Sequence, residues 1–133
     1  MLTNFDLVTM FHDKMDKPFG PWPPTEDIVN LQWDLIEEEY HEVFKELYTY
    51  NDWANLEVQK QISKQKLAKE LADLLYVVYD AACSFDIDID RVFQEVHRSN
   101  MSKLVDGKPL KREDGKVLKG PNYIPPDLRF VDG

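Results

Sequence analysis

Two short acidic segments, each set in an apolar helical pattern, constrain this chain more than any other feature. They are Leu35-Ile36-Glu37-Glu38-Glu39-Tyr40-His41-Glu42-Val43 and Lys69-Glu70-Leu71-Ala72-Asp73-Leu74-Leu75. On a helix, residues three or four positions apart are neighbours on the surface. In the first segment, Glu38 and Glu39 therefore lie beside Glu42. In the second, Glu70 lies beside Asp73.

These carboxylates fall where the helices should be apolar. At about 100° per residue, Glu38, Glu39 and Glu42 share one side of the first helix with Ile28, Leu31 and Leu35. Glu70 lies within a stripe made by Leu67, Leu74, Val77 and Ala81. An unpaired buried charge costs several kcal/mol or more, so these groups should be protonated, paired with cations or bound to metal. Few Lys or Arg share the same faces, and divalent cations such as Mg²⁺ prefer oxygen ligands. The pattern therefore predicts an all-carboxylate metal site between two helices.

Length and composition indicate one globular domain over residues 1–133, because 43% of the residues are apolar and 31% are charged. The longest apolar run, residues 71–83, is interrupted by two aspartates and is too short to span a bilayer. We expect no membrane association and a cytoplasmic location. The single cysteine, Cys83, excludes an internal disulfide and a cysteine-based zinc site. It should be a small core residue.

Charge is distributed unevenly along the chain. Residues 1–102 carry nine Lys and Arg against twenty Asp and Glu, whereas residues 103–133 carry seven against five. The acidic body argues against binding to nucleic acid polymers. A basic tail beside an acidic body would suit a ligand with phosphates, although surface solubility alone would explain the same distribution.

Hydrophobic periodicity predicts an all-α fold, a bundle of about four helices. The expected helices cover residues 2–16, 25–48, 64–85 and 88–100, with Thr25 and Asp88 as N-caps. The polar segment from Trp53 to Ser63 is predicted to be helical as well. The helical body should extend to about residue 102, followed by a basic tail over 103–133. That tail should be irregular or form a small hairpin between residues 105 and 118, at the turns Asp106-Gly107 and Asp114-Gly115.

The proline-rich segment 17–24 carries two aromatic residues, Phe19 and Trp22. Four prolines and a glycine forbid regular structure there. Aromatic side chains on a stiff loop can stack on a nucleobase, but they more often pin the loop to the core. His12 is expected to be a packed or surface histidine rather than a ligand.

Two other interpretations of the carboxylates stay open. Glu38-x-x-His41 matches the Glu-x-x-His pattern of di-iron bundles, but that site needs two such motifs, and the segment Gln94-x-x-His97 lacks the glutamate. A solvated acidic face on a non-catalytic helical oligomerisation module would suit Glu37. It fits Glu70 badly, because apolar residues surround that position.

The full pattern resembles a known superfamily. Glu38-Glu39-x-x-Glu42, followed 28 positions later by Glu70-x-x-Asp73, is similar to the EExxE…ExxD signature of the all-α NTP pyrophosphohydrolases. These include MazG, the dimeric dUTPases and phosphoribosyl-ATP pyrophosphohydrolase. The segments His97-x-Ser99-Asn100-Met101-Ser102-Lys103 and 114–128 resemble the tail of MazG-like proteins of bacterial and phage origin.

The resemblance implies roles for the carboxylates. Glu39, Glu42, Glu70 and Asp73 would hold Mg²⁺, for which Mn²⁺ can substitute, with two or three ions per site. Glu38 would orient or deprotonate the attacking water. Two metal ions about 4 Å apart can clamp a triphosphate and stabilise the charge on leaving pyrophosphate.

The resemblance also implies an activity, hydrolysis of a nucleoside triphosphate to the monophosphate and pyrophosphate. The favoured substrate is dGTP or GTP, with dUTP or broad dNTP use as alternatives. The residues expected to bind phosphate or substrate are Lys103, Lys119, Arg98, Lys116, Asn100 and Tyr123. The chain would assemble as a homodimer or homotetramer with sites between subunits, in a bacterial cell or a phage-infected host.

Overall fold

The computed structural model describes residues 1–51, 54–57 and 63–132. These residues form four α-helices and no β-strand: α1 Asn4–Lys14, α2 Glu26–Tyr50, α3 Lys64–Ser84 and α4 Ile89–Met101. A short 3₁₀ turn, Arg129–Val131, lies near the C-terminus. The predicted all-α, four-helix fold is therefore confirmed. The polar segment 53–63 falls largely outside the described residues. Within the part of the chain that is described, no helix is long and apolar enough to cross a membrane.

Each helix begins at a side-chain cap that satisfies a free backbone N–H group. The hydroxyl of Thr25 accepts a hydrogen bond from the Ile28 N–H at the start of α2. At the start of α4, the carboxylate of Asp88 accepts one from the Arg91 N–H. Both predicted caps are confirmed.

The chain divides into two compact units, with the boundary between Ile87 and Asp88. The first contains α1, α2 and α3, and the second contains α4 and the tail. The tail is thus grouped with the last helix. A single functional domain over residues 1–133 stays a prediction.

In the first unit, α3 packs against both α1 and α2. The buried apolar side chains of the described residues are small or medium in size: Val8, Val43, Ala81, Ala82 and Cys83. Cys83 is confirmed as a buried core residue and a free thiol. Large aromatic side chains on α2, among them Trp33, Phe44 and Tyr48, are exposed instead among the described residues.

A buried polar network joins the three helices of the first unit around Asp80. The His12 ring places Nδ1 2.7 Å from Asp80 Oδ1 and Nε2 2.7 Å from the Pro18 carbonyl oxygen. Lys17 Nζ donates to Asp80 Oδ2 at 3.0 Å. Gln32 Nε2 donates both to Asp80 Oδ2 and to Ser84 Oγ. His12 is thus a packed residue, as expected, and its position is set by these bonds.

The segment 17–24 lies against this network. The ring of Phe19 packs edge-on against His12, with centroids 4.6 Å apart, and Trp22 packs edge-on against Phe85 at 6.2 Å. Gly20 donates its N–H to the Ser84 carbonyl oxygen and has a φ of +79°, which favours glycine. Both aromatic rings pin the segment, yet both are also partly exposed. Their stacking on a base stays a prediction.

In the second unit, the tail turns where its Asp-Gly pairs predict. Asp106, Gly107 and Gly115 all have positive φ values. Two isolated antiparallel bridges flank these turns, Val105 with Lys108 and Lys111 with Val117. The expected hairpin is therefore reduced to two bridges, and none of the described tail residues forms a strand.

The network around Asp80 predicts a sensitivity to acid and to substitution. Burial alone would raise the pKa of the Asp80 carboxyl, but hydrogen bonds from His12, Lys17 and Gln32 hold the pKa below its usual value. A carboxyl with a lowered folded-state pKa stabilises the protein above its unfolded pKa of about 3.9, and this contribution is lost as the pH falls through the folded pKa. We expect Asp80→Asn to lower the free energy of unfolding at pH 7 by about 3–5 kcal/mol, because it removes one partner of a buried ion pair.

Urea denaturation between pH 2.5 and 7 measures this effect. Asp34→Asn, at an exposed position of α2, is the matched control and should change the free energy of unfolding by less than about 0.5 kcal/mol. A wild-type urea midpoint in Asp80→Asn at pH 7 would contradict the assignment.

Candidate metal centre

Packing of α2 against α3 brings three carboxylates together. Glu39 comes from α2, and Glu70 and Asp73 lie one turn apart on α3. One carboxylate oxygen from each residue lies within 4.8 Å of the other two. Three of the four residues expected to hold metal are therefore neighbours.

Glu70 is the most buried member of this group, with 8% of its surface exposed. No hydrogen bond or ion pair links its carboxylate to any other residue that the structure describes. Buried polar groups in proteins are nearly always paired, and an unpaired charge is costly. The Glu70 carboxylate thus lies beside two other acids without a direct partner among the described residues, and Lys66 and Lys69 act on it only at longer range.

Glu39 lies close to three other carboxylates, those of Asp73, Glu38 and Glu70. Partial burial raises the pKa of the Glu39 carboxyl, and the neighbouring Asp73, Glu38 and Glu70 raise it further, while Lys69 opposes them. A bound divalent cation would reverse this effect, because it favours the ionised form of each ligand.

Two lysines of α3 approach the acidic residues from the solvent side. Lys69 Nζ donates to Asp73 Oδ2 at 2.7 Å, and Lys66 Nζ lies 2.9 Å from Glu46 Oε1. The expectation that cations are scarce on these faces is therefore wrong for Asp73. The Lys69 side chain is 71% exposed, and exposed ion pairs of this kind contribute about 0–1 kcal/mol. A divalent cation could displace Lys69 at little cost.

The other two glutamates of the first acidic segment lie at the edge of the group. Glu42 is half-buried, lies 3.5 Å from Lys45, and is not among the three clustered residues. Glu38 is exposed, so its predicted place in an apolar interior is wrong. The reason is geometric, because Glu38 and Glu39 differ by about 100° around the helix and α3 covers only one of these directions.

His41 lies on the exposed side of α2, as expected, with Nε2 3.5 Å from Glu37 Oε1. Glu37 also accepts a hydrogen bond from Trp33 Nε1 at 2.6 Å. Among the described residues that could hold a metal, the clustered group contains three carboxylates and no histidine. The di-iron interpretation therefore gains no support.

The donor set fits a hard divalent cation. Carboxylate oxygens are the ligands that Mg²⁺ and Mn²⁺ prefer, whereas zinc and iron sites usually include nitrogen or sulfur. Glu39, Glu70 and Asp73 offer oxygen ligands from two rigid helices. The three carboxylates therefore have the donor chemistry of a divalent-cation site.

In the second unit, the structure brings together two of the proposed substrate residues of the tail. Lys119 Nζ lies 4.8 Å from the centroid of the Tyr123 ring. Gly120 allows a close approach nearby, because a Cβ there would lie 2.7 Å from Val105 Cγ2 and 2.8 Å from the Lys103 carbonyl oxygen. The backbone of Lys103 therefore lies beside the segment that carries Lys119.

The other proposed tail residues differ in their contacts. Arg98 donates to Glu95 through Nε and Nη2 and also to the Pro125 carbonyl oxygen, so its guanidinium is already engaged. Lys116 and Asn100 are exposed. Sequence reasoning missed Glu95, Ser99 and Ser102, whose side chains bind the tail backbone. Ser99 and Ser102 appeared only within the segment that resembles the tail of MazG-like proteins, without a predicted role.

The crowding of negative charge predicts opposite effects of one substitution on stability and on metal binding. A carboxyl whose pKa is higher in the folded than in the unfolded protein destabilises the fold when it is ionised. The free energy of unfolding of the metal-free protein should therefore increase as the pH falls through the raised pKa of Glu39. We expect Glu39→Gln to raise the metal-free Tm at pH 7.5 by on the order of 2 °C and to reduce the Tm increase caused by Mn²⁺. Thermal unfolding in EDTA and in Mn²⁺ measures both, with the exposed Glu113→Gln as control. An unchanged metal-free Tm together with a full Mn²⁺ response would contradict this account of the site.

Comparison with known proteins agrees with this architecture. The model of the phosphoribosyl-ATP pyrophosphohydrolase family matches residues 6–100. The matched range includes the three clustered carboxylates and ends before the basic tail. No curated protein matches the chain. Because the family model covers more than half of the sequence, the chain belongs to the phosphoribosyl-ATP pyrophosphohydrolase family, within the MazG-like all-α NTP pyrophosphohydrolase superfamily.

Proposed function

We propose that this protein hydrolyses a nucleoside triphosphate to the monophosphate and pyrophosphate, with Mg²⁺ or Mn²⁺ held by Glu39, Glu70 and Asp73. Membership of the family indicates a pyrophosphohydrolase that acts on a nucleotide. The observation that carries the metal site is Glu70, a buried carboxylate beside two others without a hydrogen-bond or ion-pair partner among the described residues.

The proposed ligand set has a fourth member, Glu42. It lies one helical turn after Glu39 on α2, and its contact with Lys45 is an exposed pair that is easily broken. Bound divalent ions, two or three per site in this proposal, would neutralise phosphate charge and polarise a water molecule. The four carboxylates would orient these ions from both helices.

Glu38 is the proposed general base. It adjoins Glu39 in the sequence and is exposed, so a water molecule can reach its carboxylate. In the proposed step, Glu38 accepts the proton of a water molecule as the water oxygen attacks phosphorus. The new P–O bond forms as the bond to the leaving pyrophosphate breaks, and the pyrophosphate takes the electron pair.

The tail supplies the proposed contacts to the substrate. Lys103, Lys119 and Lys116 are candidates for the phosphates, supported by the positive net charge of residues 103–133. Arg98 is a weaker candidate because Glu95 and Pro125 already engage it. Asn100 and Tyr123 are proposed to contact the sugar or a phosphate, and Trp22 and Phe19 the base.

Substrate choice within this proposal favours dGTP or GTP, with dUTP or broad dNTP use as the alternatives. The name of the family adds phosphoribosyl-ATP as a further candidate. The tail lies beyond the residues matched by the family model and resembles the tail of MazG-like proteins of bacteria and phages. This resemblance favours a nucleoside triphosphate as the substrate.

We also propose that the protein is a homodimer or homotetramer, with sites between subunits. Tyr40, Phe44 and Tyr48 stack along one face of α2, with ring centroids 6.4 Å and 6.2 Å apart. All three side chains are more than half exposed, as is Trp33 on the same helix. An aromatic side chain can bury about 150–250 Å², and a standard interface buries about 800 Å² per partner. These four side chains could therefore supply about half of such an interface.

The proposed cleavage predicts release of pyrophosphate and dependence on Glu70. A panel of dGTP, GTP, dUTP, the other dNTPs and phosphoribosyl-ATP, with Mg²⁺ or Mn²⁺, should yield pyrophosphate and a monophosphate product. We expect Glu70→Gln to lower kcat by more than the roughly 10–100-fold cost of removing an outer-sphere group, while Tm stays within a few degrees. Glu113→Gln is the control and should retain full activity.

Two outcomes would contradict this proposal: release of orthophosphate alone, or wild-type turnover by Glu70→Gln. A non-catalytic helical module would show neither a metal-dependent Tm shift nor pyrophosphate release. A di-iron protein would instead take up iron and show oxo-bridge absorption.

The aromatic face of α2 predicts sensitivity of the oligomer to a buried charge. We expect Phe44→Glu to shift the protein to monomer at micromolar concentration, because an unpaired carboxylate would be buried in an apolar contact. Sedimentation velocity measures the change, and Gln65→Glu, which adds the same charge at an exposed position of α3, should leave the oligomer intact. A wild-type protein that is itself monomeric would contradict the proposed assembly.

A further inference from the structure

One side of α4 and its C-cap residue carry four polar side chains that bind the backbone of the tail. They are Glu95, Arg98, Ser99 and Ser102. Spacings of three, one and three residues place them on a single face of the helix. Their tail partners all lie in the segment 124–127.

The two serines bind Ile124. Ser99 Oγ donates to the Ile124 carbonyl oxygen at 2.8 Å, and Ser102 Oγ accepts from the Ile124 N–H at 2.9 Å. Ser102 Oγ also donates to the Ser99 carbonyl oxygen at 2.6 Å. Each hydroxyl therefore has a defined role, and Ser99 is only 2% exposed. A buried serine paired in this way holds the tail backbone in one register.

Glu95 binds the tail at the other end of the row. Its Oε1 accepts hydrogen bonds from the Asp127 N–H at 2.8 Å and from Arg98 Nη2 at 2.6 Å. Arg98 Nη2 also donates to the Pro125 carbonyl oxygen at 3.2 Å. The Arg98 guanidinium and the Asp127 N–H hold the pKa of the Glu95 carboxyl below its usual value. Glu95 is thus ionised and engaged at neutral pH.

The tail sequence suits this row of side chains. Pro125 and Pro126 have restricted φ angles and no N–H, and a proline also restricts the residue before it. The segment is therefore stiff before it docks, which lowers the entropy lost on binding. Its available N–H groups, those of Ile124 and Asp127, are the two that Ser102 and Glu95 accept.

This docked segment directly follows Tyr123, and Lys119 lies five positions before Ile124. Gly120, next to Lys119 in the chain, fits closely against the Lys103 backbone and Val105. Lys119 therefore adjoins one fixed point and Tyr123 the other, and Lys119 Nζ lies over the Tyr123 ring.

We propose that Glu95, Ser99 and Ser102 are positioning residues that hold Lys119 and Tyr123 in place for the substrate. This inference rests on the proposed role of the tail in binding a nucleotide. Groups fixed in advance lose less freedom when the substrate binds, and they therefore bind it more tightly.

Substitutions at Ser102 test this role, because the side chain is small and removal of its hydroxyl leaves no large cavity. We expect Ser102→Ala to raise KM by roughly three- to tenfold, the equivalent of about one hydrogen bond, with a smaller change in kcat. Ser102→Thr keeps the hydroxyl and should restore most of the KM. Glu95→Ala should act like Ser102→Ala, and Glu113→Ala, which removes an exposed tail carboxylate, should leave KM unchanged.

A double substitution separates positioning from a general structural effect. If Ser102 acts through Lys119, Ser102→Ala should raise KM little further in a protein that already carries Lys119→Ala. The reason is that the side chain positioned by Ser102 is absent from that protein. Additive effects on KM would overturn the proposal.

Trypsin cleavage after Lys116 and Lys119 tests the anchor without reference to activity. Ser102→Ala and Glu95→Ala should speed this cleavage several-fold, and Ser102→Thr should not. Unchanged cleavage in both alanine variants would overturn the anchor itself. Faster cleavage, combined with Lys119→Ala at wild-type KM, would overturn the role of the tail in substrate binding but leave the metal-dependent cleavage proposed above untouched.

Discussion

Negative charge clustered between α2 and α3 is the constraint on which the rest of this structure depends. The same helix, α3, carries two buried acids with opposite environments. Asp80 is surrounded by His12, Lys17 and Gln32, which satisfy its charge and join the three helices of the first unit. Glu70 lies ten positions earlier, beside Glu39 and Asp73; it forms no direct ion pair with a described residue, and Lys66 and Lys69 act on it only at longer range. We interpret Asp80 as a structural acid and Glu70 as one kept for a ligand.

Carboxylates between α2 and α3 occupy positions that would otherwise hold packed apolar side chains. Consistent with this, the buried apolar residues of the first unit are few and mostly small, while Trp33, Phe44 and Tyr48 lie exposed on α2. Contact with a second copy would cover these rings, so the proposed assembly and the proposed metal site follow from the same distribution of side chains. The second unit is stabilised differently. Its tail has little regular structure and is held to α4 by hydrogen bonds.

Periodicity in the sequence was enough to predict the helices, their caps at Thr25 and Asp88, and the approach of Glu39 to Glu70 and Asp73. These features depend on spacing along one helix and on one apolar seam. Periodicity did not predict which way a residue faces around its helix axis, or where a long side chain reaches. Glu38 faces solvent because α3 covers only one side of α2, and Lys69 reaches Asp73 from an exposed position. Docking of the tail on Glu95, Ser99 and Ser102 links residues 22 to 32 positions apart, and local patterns do not report such pairs.

The central claim, that divalent ions occupy the space shared by these carboxylates, is tested most directly by anomalous X-ray diffraction from crystals grown with Mn²⁺ and a non-hydrolysable nucleoside triphosphate. We predict anomalous peaks at about 2.0–2.1 Å from oxygens of Glu39, Glu70 and Asp73, the distance range of Mg²⁺-type coordination, with the nucleotide phosphates bound to the same ions. The claim would be contradicted by peaks elsewhere in a crystal that contains the nucleotide, if Lys69 still pairs with Asp73 and no ion contacts Glu70.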